Sequence, residues 1–330
     1  MSDFKLEFAA RAYGKVNLHL GVGEARDDGY HELATVFQAV DRPETVTLRV
    51  NGETDRVLAG SVVESMSTTF HVNEPDEDID GPNNLAWRAV DAVVERYRDR
   101  AKRHAVDLPR VRLFVDKTIF VAGGMAGGSA DAAAALIAAN EYLEYWTSTS
   151  LTDDDNAEIA SSLGADVPFC LMGGTALGRG RGDKLAPMMA RGTYWWAFVS
   201  QKEGLSTGRV FEYLDELRHN DPALVPRLDT TAIARALVSG EPATVAGVLH
   251  NDLQPAAVKL HPNLRNTLHE ARLQGVLRAI VSGSGPTVAI LCENEEHARK
   301  TVDALTSTVA YEGFAARGPA PAAHSLTAAT

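Results

Sequence analysis

Apolar and polar residues alternate near the start of the chain in the manner of a half-buried β-strand. Residues 16–22 read VNLHLGV, with an apolar side chain or glycine at every second position. Lys15, Asn17 and His19 therefore share the opposite, polar face of this strand. One strand is expected to present an ammonium, an amide and an imidazole to the same side.

The rest of the N-terminal third also has the pattern of strands. Asp28 and Gly29 form a hairpin-type turn signal, after which residues 31–40 are expected to return as a paired strand. Residues 45–50 alternate again. The N-terminal third is therefore predicted to be mainly β-sheet.

From residue 84 onward the period changes to that of helices mixed with strands. Apolar residues in 85–97 recur at helical spacing, and residues 153–163 begin with three acidic residues and end before Gly164, a suitable C-terminal cap. Further helices are predicted over 129–145, 206–217, much of 228–274 and 295–305, and strands over 111–115, 194–199, 279–282 and 287–292. The predicted fold class is α+β.

Length and glycine content predict two lobes. At roughly 150 residues per domain, 330 residues correspond to about two domains. Five glycines within residues 173–182 indicate a connection between them. We expect one domain over 1–175 and a second over 176–317. Residues 318–330 are rich in Gly, Pro and Ala and are expected to form a flexible tail.

Charge and composition exclude several classes of protein. The formal net charge is −12, which argues against sequence-independent binding to nucleic acid or to an anionic membrane. No apolar run approaches the roughly 20 residues that span a bilayer, and no signal peptide is apparent. Cys170 and Cys292 lack the spacing of a metal site and are expected to be reduced. These features predict a cytoplasmic protein.

The glycine-rich segment 122–130 (AGGMAGGSA) is the strongest chemical signal. Backbone N–H groups in so small a loop can surround an anion, and the helix that follows offers its positive N-terminus, so phosphate is the expected ligand. The P-loop pattern fails because Ser129 stands at the lysine position, and GxGxxG does not occur. A closely packed glycine turn without a ligand is the alternative.

Together with this loop, residues 14–17 (GKVN) and 282–287 (SGSGPT) are similar, in order, to the motifs of the GHMP small-molecule kinases. Residues 28–31 (DGYH) and 164–169 (GADVPF) resemble the signature of the branch that acts on a cytidine diphosphate-linked methylerythritol. The resemblance implies a lobe like ribosomal protein S5 followed by a ferredoxin-like α/β sandwich. It also implies ATP-dependent phosphorylation of the 2-hydroxyl of that substrate, in the non-mevalonate route to isoprenoid precursors.

The resemblance implies roles for individual residues. Asp166 would be the base that accepts the hydroxyl proton, and Lys15 would orient it and stabilise charge on the transferred phosphoryl group. Asn17 would help to hold the methylerythritol end. At the cytidine end the implied residues are Tyr30 and Phe211, which would stack on the base, His31, which would read its edge, and Thr207, one helical turn before Phe211.

ATP and Mg²⁺ are the implied co-substrate and cofactor. The nucleotide would contact Lys117, Val121, Ala122, Gly123, Gly124, Met125, Ala126, Gly127, Gly128, Ser129 and Ala130. Ser129 would also be the tentative ligand of Mg²⁺, which prefers phosphate oxygens and water to a protein cage. The second lobe would add backbone N–H groups from Gly283, Ser284 and Gly285.

Two residues depart from the family pattern. Tyr13 and Phe120 stand where the family usually has proline. Since proline restricts the backbone, both segments are expected to be looser, and Phe120 is expected to crowd the adenine side. We expect altered nucleotide affinity rather than a lost reaction.

Two alternatives stay open. One is another GHMP kinase, of homoserine or mevalonate type, against which Tyr30, His31 and Phe211 argue. The other is a nucleotide-binding regulator without catalysis, against which the retention of Lys15 and Asp166 argues. In either case the partner is a small molecule, and the chain is expected to be a monomer or a weak homodimer.

Overall fold

The structure, a computed structural model, describes residues 6–26, 29–51, 55–101 and 106–327. The strands, in chain order, are β1 (Glu7–Ala25), β2 (His31–Val50), β3 (Arg56–Val57), β4 (Val63–Phe70), β5 (Leu108–Pro109), β6 (Val111–Lys117), β7 (Thr175–Gly180), β8 (Lys184–Pro187), β9 (Tyr194–Ser200), β10 (His250–Asn251), β11 (Arg278–Val281), β12 (Val288–Cys292), β13 (Glu312–Gly318) and β14 (His324–Ser325). The helices are α1 (Leu85–Arg100), α2 (Gly127–Thr147), α3 (Asp153–Leu163), α4 (Val167–Met172), α5 (Thr207–Asn220), α6 (Thr231–Ser239), α7 (Pro242–Ala246), α8 (Gln254–Leu260), α9 (Asn263–Leu273) and α10 (Glu295–Thr306). The predicted mixture of strands and helices is confirmed.

β1 and β2 form a long antiparallel pair in the first sheet. The predicted strand over 16–22 is part of β1, and the two predicted strands over 31–40 and 45–50 are one continuous strand, β2. A register shift interrupts the pair between Tyr13 and Lys15. Because such an irregularity bends a strand and redirects its side chains, it alters the polar face of β1 where Lys15 lies. In the predicted turn, Asp28 lies outside the described residues, and Gly29 has a φ of 79°.

The first sheet continues past the predicted domain boundary at residue 175. Its main path is β10-β1-β2-β6-β4, and β7 pairs with β2, β8 with β7 and β14 with β1. The glycine-rich segment 173–182 is therefore largely strand rather than linker. A Cβ atom on Gly178 would lie 2.9 Å from Cε2 of Phe37, so glycine here lets β7 approach β2 closely.

Helices α1 and α2 cover one face of this sheet. The alanine side chains of α2 are buried and let the helix approach the strands and α1 closely. Helix α3 spans the predicted residues and begins with a capping box between Thr152 and Asp155. Gly164 is its C-terminal cap, as predicted. Among the described residues, no helix has the length and apolar character needed to cross a membrane.

The second sheet has the order β11-β12-β9-β13 and is antiparallel throughout. One apolar cluster includes Val16 and Leu18 from β1 together with Trp196 and Phe198 from β9. The two sheets therefore share a core. The site described below lies next to this shared core, because β1 carries polar residues of the site as well as apolar residues of the core.

The predicted flexible tail is wrong for residues 319–327, which we call the C-terminal strap. Ala320 donates its N–H to the Ala39 carbonyl and accepts the Gly174 N–H, both at 2.9 Å. β14 then pairs with β1. Gly173 makes this possible, because a Cβ there would lie 2.2 Å from the Pro321 carbonyl oxygen. The small residues that indicated disorder instead allow the strap to cross close to Gly173. Residues 328–330 lie outside the described part.

Candidate active site

Lys15 lies on β1 with only 5% of its surface exposed. Its Nζ donates hydrogen bonds to Oδ1 of Asn17 at 2.9 Å and to the Gly124 carbonyl at 3.1 Å. The same Nζ is 3.7 Å from Oδ2 of Asp166. The strand, the glycine loop and the turn before α4 thus meet at one ammonium group.

Asp166 occupies the N-cap position of α4, but its side chain makes no capping hydrogen bond. One third (33%) of that side chain is exposed, in contrast to the buried Lys15. An accessible carboxylate beside a fixed ammonium suits the acceptance of a proton from an alcohol. The predicted pair is therefore brought together, with the carboxylate on the open side.

Asn17 is 3% exposed, and both ends of its amide are engaged. Its Nδ2 donates to Oγ1 of Thr35 at 2.8 Å, while its Oδ1 accepts from Lys15. Thr35 in turn donates to the His19 carbonyl at 2.9 Å. The sequence analysis missed Thr35, whose only signal was a hydroxyl inside an apolar stretch of β2. In this arrangement Asn17 orients Lys15.

The two glycine loops lie against each other at Lys15. Gly124 has a φ of 75°, and a Cβ there would lie 2.3 Å from the Ser282 carbonyl oxygen, so only glycine permits this approach. The Ser282 hydroxyl donates to the Gly124 carbonyl at 3.2 Å. Asn251, which the sequence analysis missed, supports the second loop, because its Nδ2 donates to the Val281 and Gly283 carbonyls at 2.7 and 2.8 Å.

The first glycine loop leads directly into α2. Ala126, the N-cap residue, has a φ of 60° and makes no side-chain hydrogen bond to the helix. The first N–H groups of α2 therefore have no side-chain cap, which suits a phosphate ligand. Ser129 lies in this first turn and is half-buried. Within the described ranges, no group of three or more His, Cys, Asp or Glu side chains could hold a metal ion.

Lys117 belongs to a buried cluster beside the glycine loop. Its Nζ contacts Asp131 and lies 3.3 Å from Oε1 of Glu44, and all three side chains are buried. Glu44 also accepts the N–H groups of Thr118 and Ile119, at 2.9 and 3.0 Å. Burial, reinforced by Asp131, raises the pKa of Glu44 to about 8. The lysine is committed to a buried cluster, which argues against its predicted contact with ATP.

Three of the cytidine-site candidates, His31, Thr207 and Phe211, lie on or against α5. His31 is buried, its Nε2 lies 3.0 Å from each carboxylate oxygen of Asp215, and its ring lies 5.1 Å from that of Phe211. Tyr30 is exposed, and the guanidinium of Arg181 lies 5.4 Å from its ring centre. The sequence analysis missed Asp215 and Arg181. Asp215 could have been found, because it lies one helical turn after Phe211.

Thr207 connects this region to the second glycine loop. Its Oγ1 lies 2.9 Å from Oγ of Ser284, so the first turn of α5 contacts the loop directly. The predicted cytidine wall and the predicted C-terminal phosphate loop are therefore neighbours in the fold.

The two departures from the family pattern are both packed into the interior. The ring of Phe120 lies 4.7 Å from that of Phe314, tilted by 44°, and Phe120 is 3% exposed. Tyr13 lies 5.9 Å from the ring of His324 in the C-terminal strap and is also buried. Each of these two residues is buried against an aromatic partner. The structure therefore gives no sign of the loosening that was expected from the loss of proline.

Comparison with known proteins decides the family. The model for the GHMP kinases N terminal domain matches residues 84–174, and that for the GHMP kinases C terminal matches 233–310. A 4-diphosphocytidyl-2-C-methyl-D-erythritol kinase from Corynebacterium efficiens is 49% identical over 300 residues, which are 91% of this chain and 90% of the relative. The chain belongs to the 4-diphosphocytidyl-2-C-methyl-D-erythritol kinase family. This membership confirms the resemblance to the GHMP kinases and decides between the branches left open above.

Solved structures agree with this family. The crystal structure of a 4-(cytidine 5′-diphospho)-2C-methyl-D-erythritol kinase has a TM-score of 0.69 and 30% identity, and the match covers 94% of this chain and 98% of that one. The Leishmania major mevalonate kinase, solved with R-mevalonate, has a TM-score of 0.70 at 16% identity, with 96% and 98% covered. At that identity the second similarity shows the fold alone. The predicted two-lobe GHMP kinase fold is confirmed.

Proposed function

We propose that this chain phosphorylates the 2-hydroxyl of 4-diphosphocytidyl-2-C-methyl-D-erythritol with ATP, giving the 2-phosphate and ADP. The reaction belongs to the non-mevalonate route to isoprenoid precursors. The observation that carries the proposal is the meeting of Lys15 and Asp166, 3.7 Å apart, beside the glycine loop. The names of the relatives supply the substrate.

In the proposed reaction Asp166 takes the proton of the 2-hydroxyl as the oxygen attacks the γ-phosphorus. The new O–P bond forms, the bond between the γ-phosphorus and the β,γ-bridging oxygen breaks, and ADP leaves. Lys15 stabilises the charge on the phosphoryl group in flight. Because Asn17 and the Gly124 carbonyl already hold Nζ, its position is set before the substrates bind.

The first glycine loop and the start of α2 fit the phosphates of ATP. The N–H groups in the first turn of α2 have no side-chain cap and follow the loop directly. Ser129 lies in the same turn. Mg²⁺, when bound, would neutralise phosphate charge and would be held mainly by phosphate oxygens and water. Gly283, Ser284 and Gly285 close the site from the second lobe. Lys117 supports the loop through its buried cluster rather than by contact with the nucleotide.

The cytidine end of the substrate is assigned to Tyr30, His31, Phe211 and Thr207. Tyr30 offers an exposed aromatic face, and Arg181 adds a positive charge beside it. Binding energy from this distant end can orient the reacting hydroxyl, so a truncated alcohol loses turnover as well as affinity.

The test is ADP release by the purified chain with Mg-ATP and the proposed acceptor. Asp166→Asn should lower kcat by about a hundredfold to ten-thousandfold, which is the usual contribution of a general base. Asp154→Asn, an exposed acidic position on α3, is the matched control and should retain activity.

Three outcomes would contradict parts of the proposal. Turnover that survives in Asp166→Asn removes this residue as the base. Turnover with homoserine or mevalonate instead of the cytidine-linked acceptor rejects the substrate. ATP binding without ADP release that depends on the acceptor favours a regulator.

A further inference from the structure

Helix α5 holds the imidazole of His31 from two directions. Phe211 packs against the ring at 5.1 Å between centroids. Asp215, one turn later on the same helical face, places both carboxylate oxygens 3.0 Å from Nε2. Both contacts come from residues far along the chain, 184 residues away in the case of Asp215. The ring is therefore fixed both across its face and at one edge.

The position of Asp215 determines where the imidazole carries its proton. A carboxylate can only accept a hydrogen bond, so the nitrogen beside it must be the donor. In the neutral ring Nε2 is then protonated, and Nδ1 presents a lone pair. Among the residues that the structure describes, none is hydrogen-bonded to Nδ1. That nitrogen is available as an acceptor for a ligand.

This tautomer distinguishes between pyrimidine bases. Cytosine carries an exocyclic amino group, a donor, where uracil carries a carbonyl oxygen, an acceptor. A lone pair on Nδ1 can accept from the amino group, whereas opposite the carbonyl it would face a second acceptor. A site that leaves a polar group unpaired discriminates strongly between such analogues.

We propose that Asp215 is a positioning residue that fixes His31 as its Nε2-protonated tautomer and thereby sets the preference of the site for cytosine over uracil. This inference rests on the proposed function, because it places the base of the substrate at His31. Asp215 acts through His31 and makes no contact with the reacting atoms. Its 40% exposed side chain leaves it at the rim of the site rather than in the core.

The first part of the test is kinetic. Asp215→Asn should raise the KM for the cytidine-linked acceptor about tenfold, the usual effect of losing one charge-assisted hydrogen bond, and leave kcat and the KM for ATP largely unchanged. The ratio of the inhibition constants of UDP and CDP, each measured against the acceptor, should fall toward one. Asp215→Glu, which keeps the carboxylate, should recover part of the preference.

The control is Glu212→Gln on the same helix. It removes a carboxylate that pairs with Arg209 on the exposed surface and should leave the KM and the inhibition ratio unchanged. Nitrogen-15 NMR of histidine-labelled protein reads the tautomer directly. The His31 signals are those that disappear in His31→Gln, a variant that keeps Asp215. The Nε2-protonated form should dominate in the wild type and lose that dominance in Asp215→Leu, which leaves no acceptor beside Nε2.

The outcomes separate this inference from the proposed function. An active wild type whose KM and inhibition ratio do not change in Asp215→Asn overturns the inference and leaves the function standing. A wild type with the Nδ1-protonated tautomer also overturns it. Absence of acceptor-dependent ADP release in the wild type overturns the proposed function itself, and with it the role given to Asp215.

Discussion

At the scale of single residues, the buried cluster of Glu44, Lys117 and Asp131 fixes the two ends of the first glycine loop. Glu44 binds the backbone N–H groups of Thr118 and Ile119 just before the loop, and Lys117 connects it to Asp131 in α2 just after the loop. Two carboxyl groups share one ammonium, and burial raises the pKa of both carboxyl groups. The cluster therefore makes stability depend on pH.

The sign of that dependence follows from Glu44. Its pKa is about 8 in the folded chain, against an ordinary value of 4.5. Between these values the folded state holds a proton that the unfolded state has released, so this group contributes less stability as pH rises toward 8. In Glu44→Gln, the free energy of unfolding should therefore fall less between about pH 5 and about pH 8 than in the wild type.

Urea denaturation at several pH values across this window measures the difference. Glu64→Gln, on the exposed side of β4, is the control and should follow the wild-type slope. Equal slopes for the wild type and Glu44→Gln would contradict the raised pKa.

Some contacts of the candidate site could be anticipated from the sequence, and others could not for a physical reason. Alternation along β1 put Lys15 and Asn17 on one face, and the turn motif put Asp166 within 3.7 Å of that lysine. The buried cluster of Lys117 was not predicted, because its two carboxylate partners come from β2 and α2, and nothing local to β6 indicates them. Asp215 has a local signal, since it lies one helical turn after Phe211, but its partner His31 lies 184 residues earlier and could not be read from the helix.

At the scale of elements, the C-terminal strap connects the strand of Lys15 with the helix of Asp166. Ala320 donates to the carbonyl of Ala39, which pairs with Lys15 across β1 and β2, and accepts from Gly174, which follows α4. Ala323 also donates to the Leu171 carbonyl, in the last turn of α4. The strap thus holds both partners of the proposed catalytic pair.

Removing the strap should separate that pair. A chain ending at Gly318 loses several buried backbone hydrogen bonds, each worth about 1 kcal/mol, and should be less stable. In the fraction of molecules that stays folded, kcat should fall far more than the KM for either substrate changes, because α4 is released while the substrate sites remain. Steady-state kinetics beside a thermal melt measures both effects.

A synthetic peptide of residues 319–330 added to the shortened chain separates positioning from misfolding, since it should restore part of kcat. The point variant His324→Ala removes the ring contact with Tyr13 and the Nδ1 contact with the Ala322 carbonyl but keeps the backbone pairing, and should cost little activity. A folded, shortened chain with wild-type kcat would contradict this role for the strap.

The elements themselves were predictable wherever their pattern is local. Strict alternation predicted β1, and helical spacing with an acidic first turn predicted α3. The predicted tail was wrong, and the glycine-rich segment 173–182 holds a strand, because glycine and proline content indicates where a chain can turn, not what it pairs with. β7 and β14 become strands through partners far away in sequence, and β8 then pairs with β7 in a local hairpin.

At the scale of the whole molecule, the core shared by the two sheets predicts one cooperative unfolding transition. Val16 and Leu18 of β1 pack with Trp196 and Phe198 of β9, so neither sheet keeps its full core without the other. Two variants keep tryptophan only in the first lobe (Trp195→Phe with Trp196→Phe) or only in the second (Trp87→Phe with Trp146→Phe). In each variant the urea midpoint by fluorescence should equal the midpoint of the same variant by far-UV circular dichroism.

In the wild type, far-UV circular dichroism and tryptophan fluorescence should likewise give one urea unfolding curve. Two separate midpoints would mean that the lobes unfold independently and that the shared cluster contributes little to their coupling.

The pairing of β14 with β1 has a consequence for the order in which the chain is synthesised. The N–H of Ala9 donates to the Thr327 hydroxyl across a separation of 318 residues. During translation β1 leaves the ribosome early, but it receives this partner only after nearly all of the described chain has been made. Until then one edge of β1 is an open strand, which is a template for unwanted association. The strand that carries Lys15 is thus made long before β14 can cover this edge, so a ribosome that stalls between the two leaves the edge exposed.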